Sequence, residues 1–308
     1  MSVVVALGPV DHEVVRAVLG PRHQLVTEPT EADLASASAA IVRAHVTVDG
    51  PMLDRMPQLQ VIARTGVGTE RVDVVEAARR GIPVVVTPGS NTNAVAEGAL
   101  TLGLHLIKHV SFMHNAVASG EWDARTRVVP GDIDGAVCGI VGWGRIGQRL
   151  GSVLTAMGAT VIAFDPFAEI PDSVRVESLD DVFTRSDFVS LHAPLTAQNR
   201  HMVNTETLGR FRPGAVLVNC SRGPLIDLDA AHQALLSGQL GGLGLDVFDD
   251  EPPTIHPVFS HPNVVLSPHV SGLSARAATQ TFHDAAVGIV DVLEGRTPHA
   301  VAKVGAEG

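Results

Sequence analysis

The segment Val137-Cys138-Gly139-Ile140-Val141 is followed directly by Gly142-Trp143-Gly144-Arg145-Ile146-Gly147. The apolar run predicts a buried strand, and the residues after Gly147 have the spacing of a helix that extends towards Met157. A glycine-rich turn alone is weak evidence for a ligand. Placed between a strand and a helix, it predicts the first unit of a nucleotide-binding α/β domain.

Each glycine of this loop has a separate physical task. Gly142 permits the tight turn, Gly144 lets the backbone approach a pyrophosphate, and Gly147 lets the helix pack on the strand. We expect the N–H groups of Arg145 and Ile146 to bind the diphosphate, because they lie at the positive end of the helix.

An acid follows the loop at a suitable distance. Asp165 lies 18 residues after Gly147, at the end of the next apolar run. Its carboxylate would accept hydrogen bonds from ribose hydroxyls and repel a 2′-phosphate, and the next basic residue is Arg175. NAD is therefore favoured over NADP, and the alternative of a structural turn with a solvated acid is disfavoured.

The rest of the chain alternates apolar runs with helical patterns, which indicates parallel sheets covered by helices. In residues 1–95 helices are predicted near 11–19, 51–56 and 70–80, and the predicted strands are Val3–Leu7, Ala40–Val42, Val61–Ala63 and Val84–Val86. In residues 137–268 the predicted strands are Val137–Val141, Val161–Phe164, Phe188–Leu191, Val216–Asn219, Leu243–Leu245 and Val264–Leu266.

Two long helices are predicted to connect these parts. One runs from Asn93 to about Gly120, and the other from about Leu273 to Leu293. We expect the second to return to the first part of the chain. The sequence thus predicts an α/β protein with two doubly wound parallel-sheet domains, formed by residues 1–95 plus 274–308 and by residues 96–273, with a cleft between them.

Three residues with complementary chemistry follow predicted strands. Arg222, Glu251 and His269 each lie just past the carboxyl end of an apolar run, where open α/β sheets bind ligands. An arginine can bind a carboxylate and polarise a carbonyl, and a histidine can transfer a proton near neutral pH. A glutamate beside the histidine would hold the ring and favour its charged form.

Composition excludes several kinds of partner. The net charge is −11 and the sequence pI is about 5.6, whereas binding to nucleic acid or an anionic membrane needs a basic surface. No apolar run reaches the roughly 20 residues of a membrane span. The two cysteines, Cys138 and Cys220, lie in apolar runs, so buried thiols are favoured over a disulfide or metal site. We expect a cytoplasmic protein.

At these residues the chain resembles the D-isomer-specific 2-hydroxyacid dehydrogenase family over nearly its whole length. The spacings of 29 residues from Arg222 to Glu251 and 18 from Glu251 to His269 are similar to those of the family. Further segments carry the resemblance, namely Ala63–Gly68, Thr87–Asn91 with Ala96-Glu97, Leu191–Thr196, Asn219–Gly223, Leu245–Phe248 and Ser267–His269.

The resemblance implies the fold and a set of roles. It implies a flavodoxin-like substrate domain, a Rossmann NAD domain and a homodimer formed through the latter. His269 would be the acid or base, Glu251 would orient and charge it, and Arg222 would hold the carboxylate of a small 2-hydroxy or 2-keto acid. The backbone amides of Val67 and Gly68 would share that carboxylate. The remaining cofactor contacts would come from Thr87, His192, Pro194, Thr196, Cys220, Ser221 and Asp246, the last at the nicotinamide carboxamide.

Some alternatives stay open on sequence grounds. Arg64 is placed to bind a substrate phosphate, but one arginine does not decide this. A binding module that senses NAD(H) without turnover, as in corepressor-like relatives, and a phosphite dehydrogenase are the rival functions. His105 and His109 would share a helix face at i, i+4, but with no third ligand a metal site is disfavoured.

Overall fold

The computed structural model describes residues 1–43 and 46–303, and the chain forms two compact units. One unit comprises Met1–Asn91 and the C-terminal segment that begins at Leu273, and the other comprises Thr92–Gly272. No helix in the described part of the chain has the length and apolar character of a membrane span.

The first unit contains a parallel five-stranded sheet. Its strand order is β2-β1-β3-β4-β5, which is the flavodoxin-like order 2-1-3-4-5. In chain order the strands are β1 (Ser2–Leu7), β2 (His23–Val26), β3 (Ala37–Val42), β4 (Val61–Arg64) and β5 (Val84–Val85). The helices of this unit are α1 (His12–Leu19), α2 (Glu31–Ser36), α3 (Gly50–Asp54), α4 (Val74–Arg79) and α11 (Ala275–Leu293).

Both faces of this sheet are covered. Val5 and Leu7 belong to one apolar cluster, while the intervening Val4 and Ala6 belong to another, as expected for a strand whose side chains alternate. The second cluster includes Phe282 and other residues of α11. Helix α11 therefore packs on one face of this sheet, within the first unit.

The second unit contains a parallel six-stranded sheet of order β11-β10-β9-β8-β6-β7. Its strands are β6 (Val137–Val141), β7 (Thr160–Phe164), β8 (Phe188–Leu191), β9 (Ala215–Asn219), β10 (Leu240–Leu245) and β11 (Val264–Leu266). In the dinucleotide-binding order 3-2-1-4-5-6, strands β7, β6, β8, β9 and β10 correspond to 2-1-4-5-6. An isolated parallel bridge from Arg175 to Ala163 of β7 takes the place of strand 3, and β11 adds a further strand beside β10. The doubly wound α/β fold class predicted from sequence is confirmed.

The helices of the second unit are α5 (Thr92–Ile107), α6 (Val110–Ala118), α7 (Arg145–Ala156), α8 (Leu179–Arg185), α9 (Thr205–Leu208) and α10 (Leu228–Leu236). Short 3-10 turns lie at Gly20–Arg22, Trp122–Arg127, Gly223–Leu225 and Pro257–Ser260. Helix α5 packs against β9 and β10, where Gly242 and Gly244 leave space for its Leu106 and Leu102.

The prediction of one unbroken helix from Asn93 to Gly120 is wrong. His109 adopts a left-handed backbone with φ 50°, which ends α5 and starts α6. His105 and His109 therefore do not share one helix face, and Nε2 of His105 instead pairs with Oγ of Ser111 at 2.8 Å. Because histidine tolerates this conformation better than most residues, periodicity alone gave no sign of the break.

The sequence analysis missed two elements of the first unit. Strand β2 lies at the sheet edge and mixes polar with apolar residues, so it lacks the apolar run that marks a buried strand. Helix α2 has six residues, and its start is defined by a capping box between Thr30 and Asp33. After α11, Val301 makes an antiparallel bridge to Val85.

Candidate active site

The glycine loop after β6 has the geometry that a dinucleotide requires. Gly142 has φ 96°, and a Cβ there would lie 2.6 Å from the backbone nitrogen of Ala193. A Cβ on Gly147 would lie 2.1 Å from the carbonyl oxygen of Gly142, so side chains are excluded at both positions. Around Gly144, the N-cap of α7, a Cβ would meet nothing within 4 Å. The backbone at the exposed Gly144 and Arg145 is thus open to a ligand.

Asp165 holds the glycine loop against the end of β7. Its Oδ2 accepts the N–H of Trp143 at 2.8 Å, and its Oδ1 accepts the N–H groups of Phe167 and Ala168. Since a carboxylate oxygen has two lone pairs, Oδ2 keeps one for a hydroxyl donor. The Trp143 indole is buried and lies beside Gly151 of α7, so the ring packs between the loop and this helix.

The end of β8 borders the same loop. His192 donates its backbone N–H to Val141 of β6, and its Nε2 pairs with the buried Ser190 hydroxyl at 2.9 Å. Burial lowers the pKa of the His192 imidazole to about 4, so the ring is neutral at pH 7. Asn199 ties the next turn together by donating to the Pro194 carbonyl and accepting the Thr196 N–H, both at 2.7 Å.

Asn219, a buried amide at the end of β9, shapes the loop that carries Arg222. Its Oδ1 accepts the Ser221 N–H, and its Nδ2 donates to the Arg222 carbonyl at 2.8 Å. Ser221 Oγ donates to the Ala193 carbonyl, which connects this loop to the end of β8. Burial, with the nearby Asp246 carboxylate, raises the pKa of the Cys220 thiol to about 12, so Cys220 stays protonated.

Asp246 at the end of β10 is a second buried anchor, with 1% of its surface exposed. Its Oδ1 accepts the Ser267 hydroxyl at 2.5 Å and the Val270 N–H at 3.0 Å. Its Oδ2 accepts the Ser271 N–H at 3.0 Å. The carboxylate therefore holds the loop after β11.

That loop brings His269 to Glu251. The His269 Nδ1 and the Glu251 Oε2 are 2.7 Å apart, and Glu251 Oε1 also accepts the Phe248 N–H at 3.2 Å. An ionised carboxylate can only accept, so Nδ1 carries the proton and donates. The His269 side chain, which also carries Nε2, is 51% exposed.

The backbone at His269 is unusual. Its φ of 55° is left-handed, a conformation that costs a non-glycine residue about 1–2 kcal/mol. Its N–H is bonded to the Ser267 carbonyl, which makes a three-residue turn around Pro268. Such local strain persists only where surrounding contacts determine it, and the bonds from Asp246 supply those contacts.

In the first unit, the predicted substrate residues lie at the end of β4 and in the loop that follows it. Arg64 is 8% exposed, and its Nη1 donates to the Thr65 carbonyl. Thr87 is buried, and its Oγ1 accepts the Gly66 N–H at 2.8 Å, so the hydroxyl folds this loop. The loop presents Val67, which is exposed, and Gly68, which is half-buried.

A second arginine lies at the same edge of this sheet. Arg43 follows β3 directly, and Val42 before it is the strand partner of Arg64. The Arg43 guanidinium carbon lies 5.2 Å from the centre of the Phe282 ring, and its buried Nε has no hydrogen-bond partner among the residues that the structure describes. Burial lowers the pKa of Arg43, yet an arginine remains charged. The sequence analysis had not singled out this residue.

The site residues predicted in the second unit all follow the carboxyl ends of its strands, and direct contacts join Glu251 to His269 and Asp165 to the glycine loop. Asn219, Ser267 and Ser271 were missed. They are common polar residues whose role depends on which strand ends are neighbours. Within the described residues, no three His, Cys, Asp or Glu side chains form a group that could bind a metal ion.

The chain belongs to the D-isomer specific 2-hydroxyacid dehydrogenase family. The model of the family's NAD binding domain matches residues 100–271, which confirms NAD as the cofactor. A D-3-phosphoglycerate dehydrogenase of Mycobacterium bovis is 37% identical over 306 residues, which are 97% of this chain and 56% of that protein. This chain thus spans little more than half the length of that relative.

Two further similarities cover nearly the full length of both proteins. A hydroxypyruvate reductase of Thermotoga maritima is 33% identical over 279 residues, 87% of this chain and 91% of that protein. The crystal structure of the TT0316 protein from Thermus thermophilus superposes with a TM-score of 0.88 at 31% identity, covering 98% of this chain and all of that one. These similarities support the two-domain α/β fold.

Proposed function

We propose that this protein is an NAD-dependent oxidoreductase that interconverts a small D-2-hydroxy acid and its 2-keto acid. The observation that carries the proposal is the hydrogen bond between His269 and Glu251, at the sheet edge that also carries the glycine loop. A protein that only bound the dinucleotide would need the loop and Asp165. It would not need a histidine held by a carboxylate on an exposed turn.

His269 is the proton carrier in this proposal. Because Nδ1 is engaged by Glu251, Nε2 is the ring atom that gives a proton to the carbonyl oxygen during reduction and removes one from the hydroxyl during oxidation. Glu251 stabilises the charged ring before the proton leaves. Arg222 binds the substrate carboxylate and polarises the carbonyl.

The second unit contains donors and acceptors that fit NAD. The bound dinucleotide supplies or receives the hydride at the substrate carbon. We propose that the N–H groups of Arg145 and Ile146 bind the diphosphate and that Asp165 accepts a ribose hydroxyl. The other cofactor contacts proposed in this unit are Gly142, Gly144, Gly147, His192, Pro194, Thr196, Cys220, Ser221 and Asp246. One contact, Thr87, is proposed in the first unit.

For the substrate we propose a 2-keto acid with a second anionic group, such as phosphohydroxypyruvate. In the first unit, we assign the backbone N–H groups of the exposed Val67 and the half-buried Gly68 to the substrate carboxylate. Arg43 and Arg64 follow neighbouring strands and place two positive charges at that edge. The Arg43 guanidinium is half-buried, and its buried Nε has no partner among the described residues, which is costly unless it binds an anion. This favours a phosphorylated substrate over hydroxypyruvate.

The test is NADH consumption, with NADPH in parallel, over glyoxylate, pyruvate, hydroxypyruvate, phosphohydroxypyruvate and a branched 2-keto acid. We expect turnover with NADH and preference for the phosphorylated acid. NADH binding without turnover of any acid would favour a sensor of NAD(H). Reduction of NAD by phosphite would favour a phosphite dehydrogenase.

Arg43→Gln tests the second anion site. The variant should raise KM for phosphohydroxypyruvate about tenfold or more, since a hydrogen bond to a charged group is worth about 1.5–3 kcal/mol, and leave KM for hydroxypyruvate unchanged. Arg79→Gln is the matched control, because Arg79 is an exposed arginine of the same unit paired with Glu76. An equal change for both substrates would remove the phosphate assignment.

Two finer assignments accompany this proposal. We assign the protein to the cytoplasm, where the buried free thiols of Cys138 and Cys220 would stay reduced. We also propose a homodimer formed through the second unit, where Val117 on α6 and Trp122 just after it are exposed. Light scattering of wild type and Trp122→Ser would test this, and a monomeric wild type would contradict it.

A further inference from the structure

We propose that the Ser267 hydroxyl, acting through Asp246, is a positioning group for His269. The inference rests on the proposed function, since it takes His269 as the proton carrier. It assigns Asp246 a task inside the protein in addition to the nicotinamide contact proposed above. Ser267 itself has been given no part in substrate or cofactor binding.

The loop after β11 is folded around the Asp246 carboxylate. Ser267, Val270 and Ser271 all donate to it, and they surround His269 in sequence. The backbone N–H of Asp246 itself is bonded to Asn219 on β9, and that of Ser267 to Leu245 on β10. The carboxylate is therefore a fixed point of the sheet edge, and the loop takes its position from it.

Glu251, the partner of His269, is held by the segment that follows β10. Glu251 accepts the Phe248 N–H, and Phe248 lies two residues after Asp246. The 2.7 Å contact between Glu251 and His269 thus joins the loop after β10 to the loop after β11, and Asp246 at the end of β10 holds the second of these loops. Any movement of the His269 loop relative to Asp246 changes that contact directly.

The loop has little freedom to find another position. Ser271 Oγ donates to Cys220 Sγ at 3.8 Å, and a Cβ added to Gly98 of α5 would lie 2.5 Å from Ser271 Oγ. Ser271 is therefore already packed closely against α5, and the loop cannot move further towards this helix. The left-handed backbone of His269 and the three-residue turn around Pro268 persist only if hydrogen bonds fix the residues before and after them.

Ser267 is the part of this arrangement that a substitution can remove cleanly. Without its hydroxyl, Oδ1 of the buried Asp246 would keep only the Val270 N–H from the described residues. An undersatisfied buried carboxylate draws in water or shifts the loop. A displacement near 1 Å at a reacting group lowers a rate about 100-fold, so a smaller shift predicts a loss of roughly 10- to 100-fold.

The experiment compares Ser267→Ala and Ser267→Thr with wild type. In the alanine variant kcat should fall roughly 10- to 100-fold while the NADH dissociation constant stays unchanged, and threonine should restore kcat because it keeps the hydroxyl. The solvent deuterium isotope effect on kcat should rise in the alanine variant only. Ser237→Ala is the matched control, because that hydroxyl donates to a helix carbonyl at the end of α10.

A second readout does not depend on turnover. The proton on His269 Nδ1, held by Glu251, should give a downfield proton resonance in wild type and Ser267→Thr that is lost or broadened in Ser267→Ala. Ser267→Cys keeps the volume with a weaker donor, so it should show a partial loss even if the alanine variant fails to fold. Wild-type kcat and resonance in the alanine and cysteine variants would overturn the inference. Wild type without turnover but with this pattern of resonances would reject the proposed function alone.

Discussion

Along the carboxyl edge of the sheet in the second unit, the half formed by β7, β6 and β8 is built differently from the half formed by β9, β10 and β11. In the first half the groups that we propose for a ligand are the backbone N–H groups of Arg145 and Ile146, with one half-buried acid, Asp165. In the second half they are charged side chains on loops, and buried polar residues hold those loops.

The difference fits the role that we propose for each half. A diphosphate is bound by main-chain donors, whose positions are set once glycine permits the turn. A proton carrier must have its ring oriented to within a fraction of an ångström, and a loop needs anchors to do that. Asn219 and Asp246 are these anchors, each buried at the end of a strand and bonded to the loop of Arg222 or of His269.

The largest effect should come from His269→Ala, which removes the chemistry and leaves the cofactor half intact. We expect kcat to fall by about 10³-fold, within the range for general acid–base groups, with NADH affinity unchanged. Stopped-flow turnover and fluorescence titration with NADH separate the two quantities. His283→Ala, an exposed histidine beside Asp284, is the control. Loss of NADH binding in the His269 variant would mean that the two halves are not independent.

The next largest effect should come from the glycine loop, where two alanine substitutions are predicted to differ. Gly147→Ala places a Cβ 2.1 Å from the Gly142 carbonyl and should lower the free energy of unfolding by about 1–3 kcal/mol and abolish NADH binding. Gly144→Ala meets no atom within 4 Å and should keep the stability of wild type. It should still weaken NADH binding about tenfold, because its methyl group obstructs the pyrophosphate. Urea unfolding and calorimetric titration measure both, and equal stabilities would contradict the loop geometry.

Asp165→Ser should have a moderate effect confined to the cofactor half. Loss of a charge-assisted hydrogen bond to a ribose hydroxyl is worth about 1.5–3 kcal/mol, so NADH should bind roughly 10- to 100-fold more weakly. NADPH should lose less or gain, because the repulsion of its 2′-phosphate is removed. Asp172→Ser, at an exposed acid of the same unit, serves as the control. An unchanged ratio of NADH to NADPH affinity would contradict the role of Asp165.

The smallest effect concerns His192, and it appears only in acid. Its pKa of about 4 in the folded protein is below the value of about 6.5 expected for the unfolded chain, so below pH 6.5 the unfolded state binds more protons. Stability should therefore fall as pH decreases from 6.5 to 4, by about 2 kcal/mol at pH 5 from this residue. His192→Gln should lack that part of the decrease in urea unfolding at each pH. Parallel curves for the two proteins would show that the ring titrates normally.

The two halves also differ in how much of them could be predicted from sequence. The strand, glycine turn and helix at Val137–Met157 are local in sequence, and each glycine has a local reason for its place. The family resemblance pointed to Arg222, Glu251 and His269, but no local pattern indicated that Ser267 and Ser271 bond to Asp246. These contacts span 21 and 25 residues of sequence and exist only because β10 and β11 are neighbours.

Some errors have the same origin. The helix after Asn93 was predicted as continuous because its apolar spacing continues past Ile107, whereas His109 takes a left-handed conformation that ends it. Strand β2 was missed because it lies at the sheet edge, where pairing with β1 forms the strand without a run of apolar residues. Arg43 had no motif, and its contact with the Phe282 ring joins two segments far apart in sequence.

The sequence by itself determined the doubly wound α/β class, the dinucleotide loop with its acid, and the residue types available for proton transfer, because these depend on periodicity, glycine and charge at short range. The tertiary structure decided which polar groups are buried together: the Asp246 carboxylate under the His269 turn, Asn219 under Arg222, and Arg43 beside the end of β4. Burial and hydrogen bonding between distant segments are properties of the packed chain, since a polar side chain acquires its partner only when the strands that carry both lie side by side.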